Sequence, residues 1–89
     1  MSFWEPGPHV KAAIDEQGIV LLDTHEGVLF TANRVGAVVW TGLQQRLSGD
    51  TIATELSERY GVTPASALAD THAFVSQLGE ARLIVRGPR

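Results

Sequence analysis

Residues 27–40, GVLFTANRVGAVVW, constrain the fold more than any other stretch of the chain. The segment Val28–Ala32 holds no charged residue and no proline, which is typical of a strand. Asn33 follows, and its side chain is suited to accept a hydrogen bond from a free amide in the first turn of a helix. Apolar residues then recur at helical spacing. The sequence therefore predicts a strand that ends at a helix and lacks the charges and prolines that usually guard a sheet edge.

Two further strand-like segments precede this one. Residues 9–15, HVKAAID, alternate weakly between apolar and polar side chains, and Ile19–Asp23 is a short apolar run. Turn-forming residues at 16–18 and 24–27 separate the three segments. Three short strands joined by tight turns predict an antiparallel β-meander.

The chain after Asn33 predicts two helices in succession. The first has apolar residues at helical spacing as far as Leu47 and is expected to end at residues 48–49, Ser-Gly. Asp50 is the predicted N-cap of the second helix, and Gly61 is expected to end it.

A third helix follows, and residues 83–85 predict a short extended return. Thr63 is the predicted N-cap, with Pro64 at the first helical position, where a missing N–H costs nothing. The order of elements indicates an α+β fold with a winged-helix-like arrangement, a three-stranded antiparallel β-meander followed by three α-helices.

Length and composition are those of one globular domain. The chain has 89 residues, 44% of them hydrophobic and 19% charged, and no cysteine. We expect a flexible lead-in at 1–8, a domain at 9–86 and a short tail at 87–89. The absence of cysteine and of a secretory signal pattern favours a cytoplasmic protein.

The sequence contains no recognisable catalytic, metal-binding or cofactor-binding motif. The three histidines, His9, His25 and His72, lack metal-ligand spacing, and no phosphate-binding or nucleophile motif is present. No apolar run approaches the roughly 20 residues that span a bilayer. The sequence therefore predicts no catalytic residue, no metal, no cofactor and no membrane partner.

Three helices beside a small sheet also leave a DNA-binding regulator of the winged-helix class as an alternative. Its groove-reading element would be the third helix. That helix carries Asp70 and Glu80, and no Lys or Arg lies between Arg59 and Arg82. Because phosphates repel such a helix, and because the net charge is −3, nucleic acid is not the expected partner.

Three stretches in order, GVLFTANRVGAVVW, LSGDTIATELSERYGV and ALADTHAFVSQLGEARLI, resemble the PqqD-like proteins, the precursor-peptide recognition elements of ribosomal peptide biosynthesis. The resemblance covers roughly residues 9 to 86. Its most specific positions are Asn33, Gly36, Trp40, Tyr60, Gly61, Val62, Asp70, Phe74 and Leu78. A free-standing domain of this kind is similar to the discrete leader-binding subunit of lasso-peptide pathways.

The chain departs from the family pattern at two positions. Ala32 stands where the family usually has Leu before the capping Asn, and the smaller side chain is expected to enlarge a pocket near the end of the strand. Arg82 stands where the family usually has Gly, so the sequence does not fix the residue at which the third helix ends.

The resemblance implies that the leader of a precursor peptide adds as an antiparallel strand beside Val28–Ala32, with its side chains in a cleft next to the third helix. It also implies a non-catalytic module without a cofactor. The implied partners are the precursor peptide, a separate cysteine-type leader protease and an asparagine-synthetase-like macrocyclase. A radical-SAM enzyme as the client is the alternative that the resemblance leaves open.

The candidate peptide-binding residues are Val28, Leu29, Phe30, Thr31, Ala32, Ala67, Asp70, Ala73, Phe74 and Gln77. Val28, Phe30 and Ala32 share one face of the strand, which we expect to face the helices. A purely core role for Phe30 remains an open alternative, as does an ion pair with a nearby Arg or a simply solvated side chain for Asp70.

Overall fold

The computed structural model describes residues 4–86. Five strands and three helices follow one another in the order β1 Trp4–Pro6, β2 Val10–Ile14, β3 Ile19–Asp23, β4 Val28–Ala32, α1 Arg34–Gln44, α2 Gly49–Tyr60, α3 Pro64–Glu80 and β5 Ile84–Arg86. The predicted α+β order, a meander followed by three helices, is confirmed. The predicted tail at 87–89 and the first three residues lie outside the described residues.

The three central strands form one antiparallel sheet in the order β2-β3-β4. Ile14 is opposite Ile19 at the first hairpin, and Asp23 is opposite Val28 at the second. Gly18 stands at the start of β3, where an added Cβ would collide with the carbonyl oxygen of Ala32. Glycine at this position therefore lets the end of β4 pack closely against the start of β3.

The helices cover one face of this sheet and enclose the core. Trp40 is 1% exposed in the middle of α1, and Leu21 of β3 is fully buried beneath the helices. The other buried apolar residues are Ile19, Ala37, Val38, Val39, Leu43, Ile52, Ala53, Leu56, Ala67, Leu78, Leu83 and Ile84. An indole buried to this extent removes on the order of 150–250 Å² from water and anchors the core.

The junction between α1 and α2 differs from the sequence prediction. The N-cap of α2 is Ser48, whose hydroxyl accepts a hydrogen bond from the Thr51 amide at 3.2 Å. Asp50 instead lies in the first turn, where its charge favours the positive end of the helix dipole. The prediction of Asp50 as the cap is therefore wrong, and α1 ends before Leu47, at Gln44.

The other two helix starts agree with the prediction. The Asn33 side chain accepts a hydrogen bond from the Gly36 amide at 3.1 Å, and Thr63 caps α3 through the Ser66 amide. Pro64 occupies the first helical position of α3. Local capping chemistry therefore sets where β4 gives way to α1 and where α3 begins.

A second small sheet joins the two ends of the described chain. Strand β1 pairs antiparallel with β5, and Trp4 is opposite Arg86, whose guanidinium lies 5.2 Å from the indole centroid. The predicted extended return at 83–85 is found one residue later. The interpretation of 1–8 as a loose lead-in is wrong for Trp4–Pro6, because long-range pairing orders these residues. The remaining domain limits stay a prediction.

Helix α3 ends at Glu80, and the chain turns at Arg82, which has a left-handed φ of 59°. This conformation disfavours every residue with a Cβ and suits glycine. The Arg82 carbonyl pairs with the His9 ring at 2.9 Å. This conformation fits the glycine that the resemblance implies at this position, and Arg82 adopts it with some backbone strain.

Candidate functional site

The pairing of β2 with β3 determines which backbone groups point out of the sheet. The Asp15 amide donates to the Gly18 carbonyl, and the Thr24 amide donates to the His9 carbonyl. Hydrogen-bonded pairs alternate in an antiparallel ladder, so residues 20 and 22 also direct their amides and carbonyls toward β2. Residues 19, 21 and 23 then direct theirs toward β4.

Strand β4 is therefore an open edge with two residues facing outward. Val28, Phe30 and Ala32 exchange hydrogen bonds with β3, whereas the N–H and C=O groups of Leu29 and Thr31 point away from the sheet. Within residues 4–86 no backbone or side-chain group bonds to these outward groups. The edge of β4, which carries no charge or proline, is thus available to pair with another strand.

A groove runs between β4 and α3, and its floor is apolar. The rings of Phe30 and Phe74 meet edge to face with centroids 6.1 Å apart. A Cβ added to Gly36 would lie 2.6 Å from the Ala32 Cβ and 3.0 Å from the Phe74 ring. The small residues at 32 and 36 therefore let the Phe74 ring approach the end of β4 and leave space above it.

The rim of the groove is polar and comes from α3 and the start of α1. An open cleft of about 300 Å³ lies here, and its lining residues are Asn33, Val35, Gly36, Asp70, Ala73, Phe74 and Gln77. Asp70, Ala73 and Gln77 are exposed along one stripe of α3. An apolar floor with few polar groups at the rim is the usual composition of a site that binds apolar side chains.

The structure separates the five predicted site residues of β4 into three groups. Phe30 and Ala32 are half-buried on the helix side of the sheet, and Leu29 and Thr31 are exposed on the opposite side. Val28 lies on the helix side of the sheet, as predicted, but its side chain remains 57% exposed.

Ala67 is fully buried in the core, so its prediction as a peptide-contacting residue is wrong. It shares a helical stripe with Phe74, and most of that stripe faces the core. Of the residues on this stripe, Ala67, Thr71 and Leu78 are buried, and Phe74 lines the groove.

Sequence reasoning missed three residues of the cleft, Asn33, Val35 and Gly36. The sequence predicts Asn33 as a helix cap, and it performs that role as well. The available signal was the position of Gly36 within one turn of the strand end. A glycine inside a helix is unfavourable unless another group must approach closely, and here that group is Phe74.

The electrostatics of the groove are acidic or neutral. Helix α3 carries Asp70 and Glu80 and no Lys or Arg. Among the described residues no cation lies within ion-pair distance of Asp70, so the ion pair considered from the sequence is absent there. The Asp70 carboxylate therefore remains available at the mouth of the groove.

The turn that precedes β4 is fixed by Asp23. Asp23 is 6% exposed, and its carboxylate accepts hydrogen bonds from the amides of Glu26 at 3.0 Å and His25 at 2.9 Å. The bond from Glu26, followed by the bond from His25 and the nearby His9, holds the pKa of Asp23 below its ordinary value, although burial acts in the opposite direction. Asp23 thus sets where β4 begins.

Residues 4–86 contain no group of three or more His, Asp or Glu side chains arranged to hold a metal ion. None of the described helices has the length and apolarity needed to cross a bilayer.

Comparisons with known proteins agree with this geometry. A solved structure of TbiB1 in complex with the TbiA(beta) leader peptide is 22% identical, with a TM-score of 0.82 over 90% of this chain and 93% of that chain. Lasso peptide synthetase B1 complexed with the leader peptide is 27% identical, with a TM-score of 0.84 over 92% and 96%. Comparison with curated proteins gives no match. Residues 18–84 match the family described as coenzyme PQQ synthesis protein D, and the chain therefore belongs to the PqqD family.

Proposed function

We propose that this protein is a non-catalytic module that binds the leader segment of a ribosomally made precursor peptide, as a strand added to the open edge of β4. One observation carries the proposal. The outward backbone groups of Leu29 and Thr31 lie directly beside an apolar groove, so one extended peptide reaches both. Strand addition combines backbone hydrogen bonds for affinity with side-chain pockets for selectivity.

The alternation of β4 defines how such a guest would lie. Guest residues opposite Leu29 and Thr31 each exchange two backbone hydrogen bonds with the edge, and their side chains point away from the helices. Guest residues in between, opposite Phe30, and at the flanking positions direct their side chains toward α3. Every second guest residue therefore enters the groove, and apolar side chains suit the floor made by Phe30 and Phe74.

Membership of the PqqD family and the two solved leader-peptide complexes of similar fold support this function. The lasso synthetase likeness supports a lasso-type pathway as the setting. There the module would deliver the leader to a separate cysteine-type protease and to an asparagine-synthetase-like macrocyclase. Genes for a short precursor, such a protease and such a cyclase beside the gene of this chain would support these partners.

Titration of the purified protein with a fluorescein-labelled synthetic leader, taken from a precursor encoded in the same gene neighbourhood, tests the function. We expect saturable binding at one site per chain that persists at high salt, because the groove is apolar and holds no cation. Absence of leader binding, together with duplex-DNA binding that weakens steeply with salt, would instead support the DNA-binding alternative.

A further inference from the structure

The opposite edge of the sheet, strand β2, is also open. Residues 11 and 13 bond to β3, so the N–H and C=O groups of Ala12 and Ile14 point outward, and no group within residues 4–86 bonds to them. The Val10 amide, by contrast, donates to the Gly7 carbonyl. The free part of the edge is thus short and centred on Ala13.

The helices do not cover this strand. Ile14 lies on the same face as Ile19, its partner in β3, yet Ile14 is 52% exposed and Ile19 only 2%. Ala12, on that face too, is exposed as well. An open cleft of about 290 Å³ separates Ile14 from α1 and α2. The helix layer stops short of β2, so another sheet edge has room to approach.

We propose that a second copy of this chain pairs with this edge, β2 against β2, antiparallel about a two-fold axis at Ala13. In this register Ala12 of each copy is opposite Ile14 of the other, so both outward-facing residues form hydrogen-bonded pairs. Ala13 is opposite its own counterpart in a non-hydrogen-bonded pair. The two exposed Ile14 side chains then pack on the helix side of the joined sheet.

The charges of the strand are complementary in this register. Lys11 of each copy is opposite Asp15 of the other, on the face away from the helices. One Asp15 carboxylate oxygen holds the turn through the Gln17 and Gly18 amides, and no group within residues 4–86 bonds to the other. Sliding one copy by two residues in either direction separates both Lys11–Asp15 pairs. The segment KAAID is therefore self-complementary in one register, which argues for a second copy as the occupant.

The resulting sheet has six strands and keeps both β4 edges at its ends. Each copy of the dimer therefore retains its groove beside α3. The proposal does not depend on what binds that groove, and its test can be read without any peptide.

Disulfide cross-linking tests the register directly, because the chain has no cysteine. In a non-hydrogen-bonded antiparallel pair the two Cα atoms are about 4.5 Å apart, within the range that a disulfide bridges. Under mild oxidation the Ala13→Cys variant should form a covalent dimer at least about tenfold faster than the Val20→Cys variant. Val20 provides a matched control because it is exposed on the same face but lies in the central strand. Equal rates would overturn the proposal.

Sedimentation of the untagged protein tests the association itself. The weight-average mass should rise from 9.6 kDa toward twice that value between about 10 µM and 1 mM. Lys11→Glu, which places two acids opposite each other, and Ala12→Pro, which removes one outward N–H, should each weaken the dimer at least about tenfold. Circular dichroism verifies that both variants are folded.

A monomer at every concentration would overturn the proposal. So would a dimer that saturating leader peptide dissociates, because that result would place the contact on β4.

Discussion

The two outer strands of the sheet present the same kind of backbone edge, but their surroundings differ. Strand β4 carries no charge and lies beside a groove floored by Phe30 and Phe74. Strand β2 carries Lys11 at one end, with Asp15 just beyond the other, and no helix covers it. Outward amides make strand addition possible at both edges, whereas the flanking side chains select the guest. The first edge suits an apolar peptide, and the second suits a copy of itself.

We expect the largest effect on leader affinity from a proline that removes one outward amide. The same change at each edge in turn tests which edge binds the leader. Leu29→Pro should weaken binding of the labelled leader by at least about tenfold, because it removes a donor and places a ring where the guest carbonyl would lie. Ala12→Pro should leave that affinity within about twofold. Fluorescence anisotropy gives both values.

Leu29→Ala is the matched control for the first variant, because it keeps the amide and removes only an exposed side chain. Its affinity should stay close to that of the unmodified protein. A folded Leu29→Pro protein that binds the leader with unchanged affinity would contradict strand addition at this edge.

The groove floor should give the next largest effect. Phe74→Ala should weaken leader binding by about tenfold and lower the free energy of unfolding by about 2 kcal/mol, since the ring is half-buried. Val75→Ala is the control, because this neighbour is also half-buried but lines a different cleft, with Trp4. It should cost about 1 kcal/mol of stability and leave leader affinity nearly unchanged. Equal losses of affinity would place the guest elsewhere.

Salt should distinguish the two edges by a smaller margin. Raising the salt concentration from about 50 to 500 mM screens the Lys11–Asp15 pairs of the proposed dimer and leaves apolar contacts in the groove largely unaffected. Dimerisation should therefore weaken severalfold in sedimentation, and leader affinity should change less than about threefold. If salt weakened leader binding more than dimerisation, the result would contradict the roles assigned to β2 and β4.

The acid dependence of stability should report on the turn before β4. Because the folded-state pKa of Asp23 is lowered, its contribution to stability is present above its unfolded pKa, near 4, and is lost as pH falls through the lower folded value. Asp23→Asn should therefore reduce the loss of stability on acidification in this range. Chemical denaturation at several pH values measures it, with Asp70→Asn as the control, because Asp70 is exposed in the interior of α3 and has no ion pair among the described residues. Identical slopes in the two variants would argue against this role of Asp23.

The smallest effect concerns the strained turn after α3. Arg82→Gly should raise the free energy of unfolding by about 0.5–1 kcal/mol, because glycine adopts the left-handed conformation without strain. Leader affinity should not change, since Arg82 is not part of the groove lining. A loss of stability would show that the Arg82 side chain contributes more than its backbone conformation costs.

Local signals in the sequence predicted most of the fold. The strand Val28–Ala32, its ending at Asn33 and the cap at Thr63 depend on a few neighbouring residues, so they could be read from the chain. The choice of Ser48 over Asp50 could not, because both are good caps and the preceding turn decides between them. The pairing of Trp4 with Arg86 joins the two ends of the described chain, so a pattern of neighbouring residues cannot predict it.

The site was predicted less completely than the fold. Strand alternation correctly separated the faces of Phe30 and Leu29. Helical spacing placed Ala67 and Phe74 on one stripe but carried no information on how that stripe enters the core. The contribution of Gly36 depends on the approach of a ring from another helix, which becomes visible only in three dimensions.

Amide hydrogen exchange, measured residue by residue by NMR with and without saturating leader peptide, tests the central claim most directly. The account predicts that the outward amides of Leu29 and Thr31 become protected on binding, whereas the Phe30 amide, already bonded to β3, changes little. Leader binding that leaves Leu29 and Thr31 in fast exchange would contradict it.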